Sequence, residues 1–192
     1  MTLLPPLSLG IFNLWIFMFL FIIPILIMVS IRRHVFHKTS SVFRKNMNRR
    51  EINLFIIRKL IMLILFLLSI FIPLQSQSIF FWIGTGIFHF GYLFYLISWI
   101  NILKNKNGNL MKRGLYRVSR HPVYVSSLFI FVGAGIASTS YVISGLSLVV
   151  GISNLFNAFK EEIICLEVFG DKYKEYMAVT PRWLGLKKIF CR

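Results

Sequence analysis

The chain has 192 residues, 57% hydrophobic and 15% charged, with 22 Lys and Arg against 6 Asp and Glu and a net charge of +16. Together with a mean hydropathy of +0.73, this composition excludes a soluble globular domain and a disordered chain. Such a charge would point to nucleic acid in a soluble protein, but here the basic residues are gathered in blocks between apolar runs, so the chain reads as a polytopic membrane protein.

The opening Met-Thr-Leu-Leu-Pro-Pro has no basic segment of the signal-peptide kind, so the first apolar run, Leu9 to Ile31, is expected to stay as a helix, kinked at Pro24. The basic stretch Arg32 to Lys59 follows as an orientation determinant and a contact for anionic lipid head groups, with His34 and His37 solvated. Leu60 to Leu74 with its flanks and Ile79 to Leu103 supply two more spans, since a bilayer core of about 30 Å takes roughly 20 apolar residues. His89 is expected to pack within the third helix. The uncharged stretch Val123 to Phe159 is too long for one span and reads as a tight hairpin of two helices turning near Ser138-Thr-Ser140. In its first arm, Gly133, Ala134, Gly135 and Ala137 suit close helix packing better than a nucleotide loop.

Three basic blocks, Arg32 to Lys59, Lys104 to Arg120 and Lys160 to the end, then fall on one face, which the positive-inside rule makes cytoplasmic. A single crossing by Val123 to Phe159 would put the basic tail outside. The expectation is an all-α polytopic bundle: one domain, 1–192, of about five transmembrane helices, N-terminus out, C-terminus cytoplasmic, closed by a cytoplasmic helical cap. Cys165 and Cys191 fall in the reducing tail at a spacing that fits no metal site, and no disulfide is expected.

Acidic residues are rare, and all but Glu51 lie in the tail. Leu155, Phe159, Glu162, Leu166 and Phe169 recur at helical steps, which puts the Glu162 carboxylate on an apolar stripe where it needs a positive partner. Arg117, Arg120 and His121 are the candidates by topology, and a structural salt bridge explains the pattern as well as a ligand site does. His121-Pro122 should open the fourth helix, placing His121 beside free backbone N–H groups that suit an anionic group, with Tyr124 in reach. Gly170 should end the fifth helix and Asp171 cap a short one, Lys172 to Ala178, stopped by Thr180-Pro181. Tyr173 reads as an interfacial anchor. Tyr176 reads equally well as an anchor or as part of a site.

The ordered set GLYRVSRHPVY from Gly114, Glu161-Glu162, then Phe169-Gly170 with Tyr173 and Tyr176, and Thr180-Pro-Arg182, resembles the isoprenylcysteine carboxyl methyltransferase family, relatives of the phospholipid N-methyltransferases. The match covers Leu110 to Arg182. It implies S-adenosylmethionine bound on the cytoplasmic side within residues 110–182. His121, Tyr124, Glu161 and Glu162 would be cofactor contacts, with Arg120 at the border between cofactor and substrate. Departures fall at Ser126, where the family often has Gly, at Asn157, where many members have Arg, and at Gly185, where Pro is common.

The implied reaction is methyl transfer to a lipophilic acceptor entering from the membrane, a carboxylate, an amine or a phenol. The latter two would need Glu162 or His121 as a base. No nucleic-acid partner is expected. The alternatives are an NADPH-dependent enzyme like the sterol reductases and a non-catalytic bundle in which these residues form only a salt-bridge cluster. Abundant Ile, Phe, Lys and Asn point to an AT-rich genome and a bacterial cytoplasmic membrane.

Overall fold

The computed structural model describes residues 1–3, 7–31, 48–105 and 109–185. These form six α-helices with no strand among the described residues: α1 (Trp15–Ile31), α2 (Arg49–Ser69), α3 (Ile79–Lys104), α4 (Pro122–Ala137), α5 (Tyr141–Phe169) and α6 (Asp171–Val179), with one 3₁₀ turn at Gly114–Arg117. Helices α2, α3 and α5 are long and apolar enough to cross a membrane; α1 and α4 are apolar but shorter. His34, His37, Cys191 and most of the first basic block lie outside the described residues.

Helix α1 starts at Trp15, six residues after the expected Leu9, because the preceding backbone is bound elsewhere. Ser8 N donates to Phe71 O at 2.8 Å, Leu14 N to Ile72 O at 2.9 Å, and Leu74 N to Phe12 O at 3.0 Å. The buried Asn13 amide spans both segments, donating to Ser8 O and Ile70 O. Helix α2 starts eleven residues before the apolar run at Leu60. Asn48 and Glu51 form a reciprocal capping box, each side chain accepting from the other's backbone N–H at 2.9 Å, and this closes a polar first turn that hydropathy alone does not see. Helix α3 matches its expected ends to within a residue, capped by Ser78. His89 sits on α3 with Nδ1 2.8 Å from Thr85 O and its ring edge-on to Phe17.

The core lies where α1 meets α3 and α4, through Phe17 stacked on Phe88 at 4.4 Å and Phe21 packed on Tyr95 and Phe131. α3 and α4 run in near-backbone contact. A Cβ on Gly84 would lie 2.2 Å from Ala137 N, and one on Gly133 would lie 2.4 Å from Phe88 N. The chain turns between α4 and α5 at Ser138, Thr139 and Ser140, all buried. Thr2 and Leu3 cover that turn: Thr2 N donates to Thr139 O at 2.9 Å, Tyr141 N to Thr2 O at 3.0 Å and the Ser140 hydroxyl to Leu3 O at 2.9 Å. The N-terminus, the 70–74 loop and the 138–140 turn therefore share one end of the bundle. The opposite end carries residues 113–121, the C-terminal turns of α5, and α6.

At that end Gly170 serves as both last cap of α5 and first cap of α6, with φ 53° and ψ −128°, a conformation that suits glycine. Asp171 is the first residue of α6 rather than its cap, because Gly170 already occupies the cap position. Tyr173 is buried rather than interfacial. α6 folds back onto α5, so its two tyrosines point inward.

Candidate active site

His121 caps α4, Pro122 takes the first helical position, and the ring of His121 faces the last turns of α5. Its Nε2 lies 3.2 Å from Glu162 Oε1, and its Nδ1 lies 3.5 Å from Glu161 Oε2. Arg120, just before it, reaches the same carboxylate, with Nε at 2.9 Å and Nη2 at 2.8 Å from Glu162 Oε1. The third partner is Arg182, whose Nε lies 3.1 Å from both Glu162 oxygens and whose Nη2 lies 2.7 Å from Oε2. Glu162 is buried, its side chain 5% exposed.

A carboxylate offers about four lone-pair sites. The bonds to Arg120, Arg182 and His121 fill those of Glu162. Glu161 differs: its side chain is 43% exposed, and its Oε2 lies 3.5 Å from His121 Nδ1. The Glu-Glu pair therefore holds one carboxylate committed to the protein and one turned partly outward.

Residues 180–183 form the roof. Arg120 N donates to Pro181 O at 2.9 Å, and Arg120 Nη1 donates to Met177 O at 3.1 Å and Thr180 O at 3.0 Å. Ser119 Oγ donates to Arg182 O at 3.1 Å and accepts from His121 N. Arg182 stacks on Phe159, 4.3 Å from the ring centre, and Trp183 lies between Phe159 and His121 at 6.2 and 6.3 Å. Tyr176 donates to Tyr116 O at 2.5 Å. Burial pushes the Tyr173 and Tyr176 phenols up, which keeps both protonated and able to donate.

Of the candidates for Glu162, the structure brings Arg120 and His121 to it and leaves Arg117 exposed. Phe159 shares the expected stripe with Glu162, whereas Arg182 as a partner of Glu162 and Trp183 beside it were not expected. For Arg182 the sequence marks only the helix ends, at Gly170 and at Thr180-Pro181, and not where the tail after them docks. The expected exchange at Asn157 also has a structural sequel, since its side-chain oxygen accepts from Arg58 Nη1 of α2 at 2.5 Å.

A cationic ligand with an aromatic part fits these groups. Glu161 offers a half-exposed carboxylate, and Tyr124, His121 and Trp183 offer ring faces beside it.

The chain matches the phospholipid methyltransferase family over residues 59–172, more than half of its length. That stretch contains α3, α4 and α5, and with them Arg120, His121, Tyr124, Glu161 and Glu162. Comparison with the curated proteins gives no match.

Proposed function

Since the chain belongs to the phospholipid methyltransferase family, we propose that this integral membrane protein transfers a methyl group from S-adenosylmethionine to a lipophilic, membrane-embedded acceptor, a carboxylate, amine or phenol. The observation that carries this reading is the division of labour in the Glu pair, with Glu162 saturated by Arg120, Arg182 and His121 and Glu161 left half-exposed beside His121 and Tyr124. Glu161 would hold the cationic end of the donor, with His121 and Tyr124 beside it, all within residues 110–182. Glu162 would be a positioning residue that fixes Arg120 and His121. S-adenosylmethionine, when bound, supplies an electrophilic methyl on a sulfonium.

The chain's own part is alignment and exclusion of water, which together contribute about 7–11 kcal/mol in favourable cases. Phe159, Trp183 and the 180–183 roof close the solvent side, and Arg120 lies at the border toward the acceptor. A carboxylate acceptor reacts as the anion. An amine or phenol must lose a proton, and His121 is placed to take it. The reading includes a cytoplasmic orientation of this end, because the basic residues Arg49, Arg50, Lys104, Arg113, Arg117 and Arg120 gather there.

Titration calorimetry on the detergent-purified protein tests this reading with S-adenosylmethionine, its demethylated product and NADPH. Binding of the first two is expected, weakened about tenfold in Glu161→Gln, as when a charge-assisted hydrogen bond worth about 1.5 kcal/mol is lost. A folded protein that binds neither overturns the proposal. Binding of NADPH instead would favour a reductase.

A further inference from the structure

Helix α2 is tied down at one end and only bridged to its neighbour at the other. Of its 21 residues, Leu65 and Ser69 alone are buried, both near the uncharged end. There the chain that follows α2 is bound to the segment before α1: the Asn13 amide donates to Ile70 O, Leu14 N to Ile72 O and Leu74 N to Phe12 O. Toward the basic end, α2 faces α5 across a groove of about 560 Å³, with Leu54, Ile57 and Ile61 on one wall and Val149 and Phe156 on the other. Two polar contacts bridge that groove. Glu51 pairs with Lys160, and Arg58 Nη1 donates to Asn157 Oδ1 at 2.5 Å and to Ser153 O at 3.4 Å.

In a bilayer the apolar walls do not hold the two helices together, because lipid tails offer these side chains the same apolar contact that the helices offer each other. The polar bridges are then what keeps the basic end of α2 on α5. Glu51 and Lys160 are both part-exposed, and exposed ion pairs are weak. The uncharged end has no such freedom, since moving it would break the hydrogen bonds of Asn13 and Ile72, both buried. The bridges also adjoin the candidate site. Asn157 stands one helical turn before Glu161 and Lys160 immediately before it, and Phe159 lines the groove while carrying the Arg182 guanidinium on its ring. Moving the basic end of α2 away from α5 opens that turn sideways to the hydrocarbon.

We propose that α2 is a lateral gate. It pivots about the ties at residues 70–74, is held shut by Glu51 on Lys160 and Arg58 on Asn157, and swings at its basic end to open the groove to the bilayer. Its use by a lipophilic acceptor rests on the methyltransferase reading; the motion itself does not.

Pulsed electron resonance distances between spin labels in lipid nanodiscs test the gate, with no donor or acceptor added. In a background with Cys165 and Cys191 replaced by Ser, one label pair, Ile52→Cys with Ile163→Cys, spans the basic end, and a second, Leu67→Cys with Leu148→Cys, spans the pivot end. All four positions are exposed. The basic-end pair is expected to show a short and a long distance, and the pivot pair a single one. Adding Glu51→Gln, which preserves a capping box, together with Arg58→Met should raise the long-distance fraction about threefold or more and leave the pivot pair unchanged. A single basic-end distance that these substitutions do not move overturns the gate. Equal movement of both pairs also overturns it, because the helix is then displaced as a whole. S-adenosylmethionine binding is read separately on the same samples. A gate that opens in a protein without donor binding would overturn its use by an acceptor alone, and donor binding with an immobile basic end would overturn the gate alone.

Discussion

Removing the charge of Glu162 while keeping its shape leaves Arg120 and Arg182 facing each other across an amide, with Arg120 only 7% exposed. Breaking a buried ion pair from one side costs about 3 kcal/mol. Glu162→Gln is therefore expected to lower the thermal unfolding midpoint in detergent markedly, whereas Glu161→Gln, half-exposed, should move stability by no more than about 0.5 kcal/mol and act on ligand binding instead. Equal effects of the two substitutions on unfolding would refute this division of roles. The need of Glu162 for a cation was legible in the sequence, because a rare acid on an apolar stripe must be paired. Arg120 and His121 followed from topology, since a hairpin returns its ends to one face. Arg182 and Arg58 were not legible as partners, because each depends on where a separate segment docks, a tail reversed at Gly170 in one case and a different helix in the other.

Helices α3 and α4 meet through hydrogen atoms where side chains would otherwise stand. Gly133→Ala would put its Cβ 2.4 Å from backbone of α3, and backbone cannot move aside cheaply. A loss of about 2 kcal/mol or more is expected, within the range for overpacking. Gly86→Ala and Gly145→Ala meet nothing within 4 Å and remove a helix-destabilising glycine, so each should be neutral or stabilising by about 0.5–1 kcal/mol. Unfolding midpoints of the three variants check the contrast, and a tolerated Gly133→Ala would disprove the close contact. At the junction of α5 and α6, Gly170→Ala faces open space but a φ of 53°. It should cost about 1–3 kcal/mol through backbone strain and speed limited proteolysis within α6. Periodicity located the interiors of these helices well, as at α3 and the 138–140 turn. It missed starts governed by polar hydrogen bonds, the Asn48 capping box in α2 and the Asn13 clasp before α1.

Among the described residues, α1 to α5 run alternately between an uncharged end and a basic end, and the two shortest, α1 and α4, decide whether all five can cross a bilayer. At 1.5 Å per residue, the 16 residues of α4 span about 24 Å, less than the roughly 30 Å of hydrocarbon. If α4 crosses, as the five-span reading has it, the turn after it lies within the membrane, where backbone polar groups need internal partners. Thr2 and Leu3 supply them, through the bonds to Thr139, Ser140 and Tyr141. That arrangement ties the N-terminus to the α4–α5 turn and puts both opposite the candidate site, so the orientation of one end fixes that of the other. In a background with Cys165 and Cys191 replaced by Ser, Gln77→Cys is expected to react with a membrane-impermeant maleimide added to sealed right-side-out vesicles. Lys112→Cys and Glu175→Cys should react only after the vesicles are opened. Labelling of Gln77→Cys and Glu175→Cys from the same side would mean that α3, α4 and α5 together do not carry the chain across an odd number of times. If both label from the outside, the roof formed by residues 180–183 faces away from the cytoplasmic donor that the proposed reaction requires.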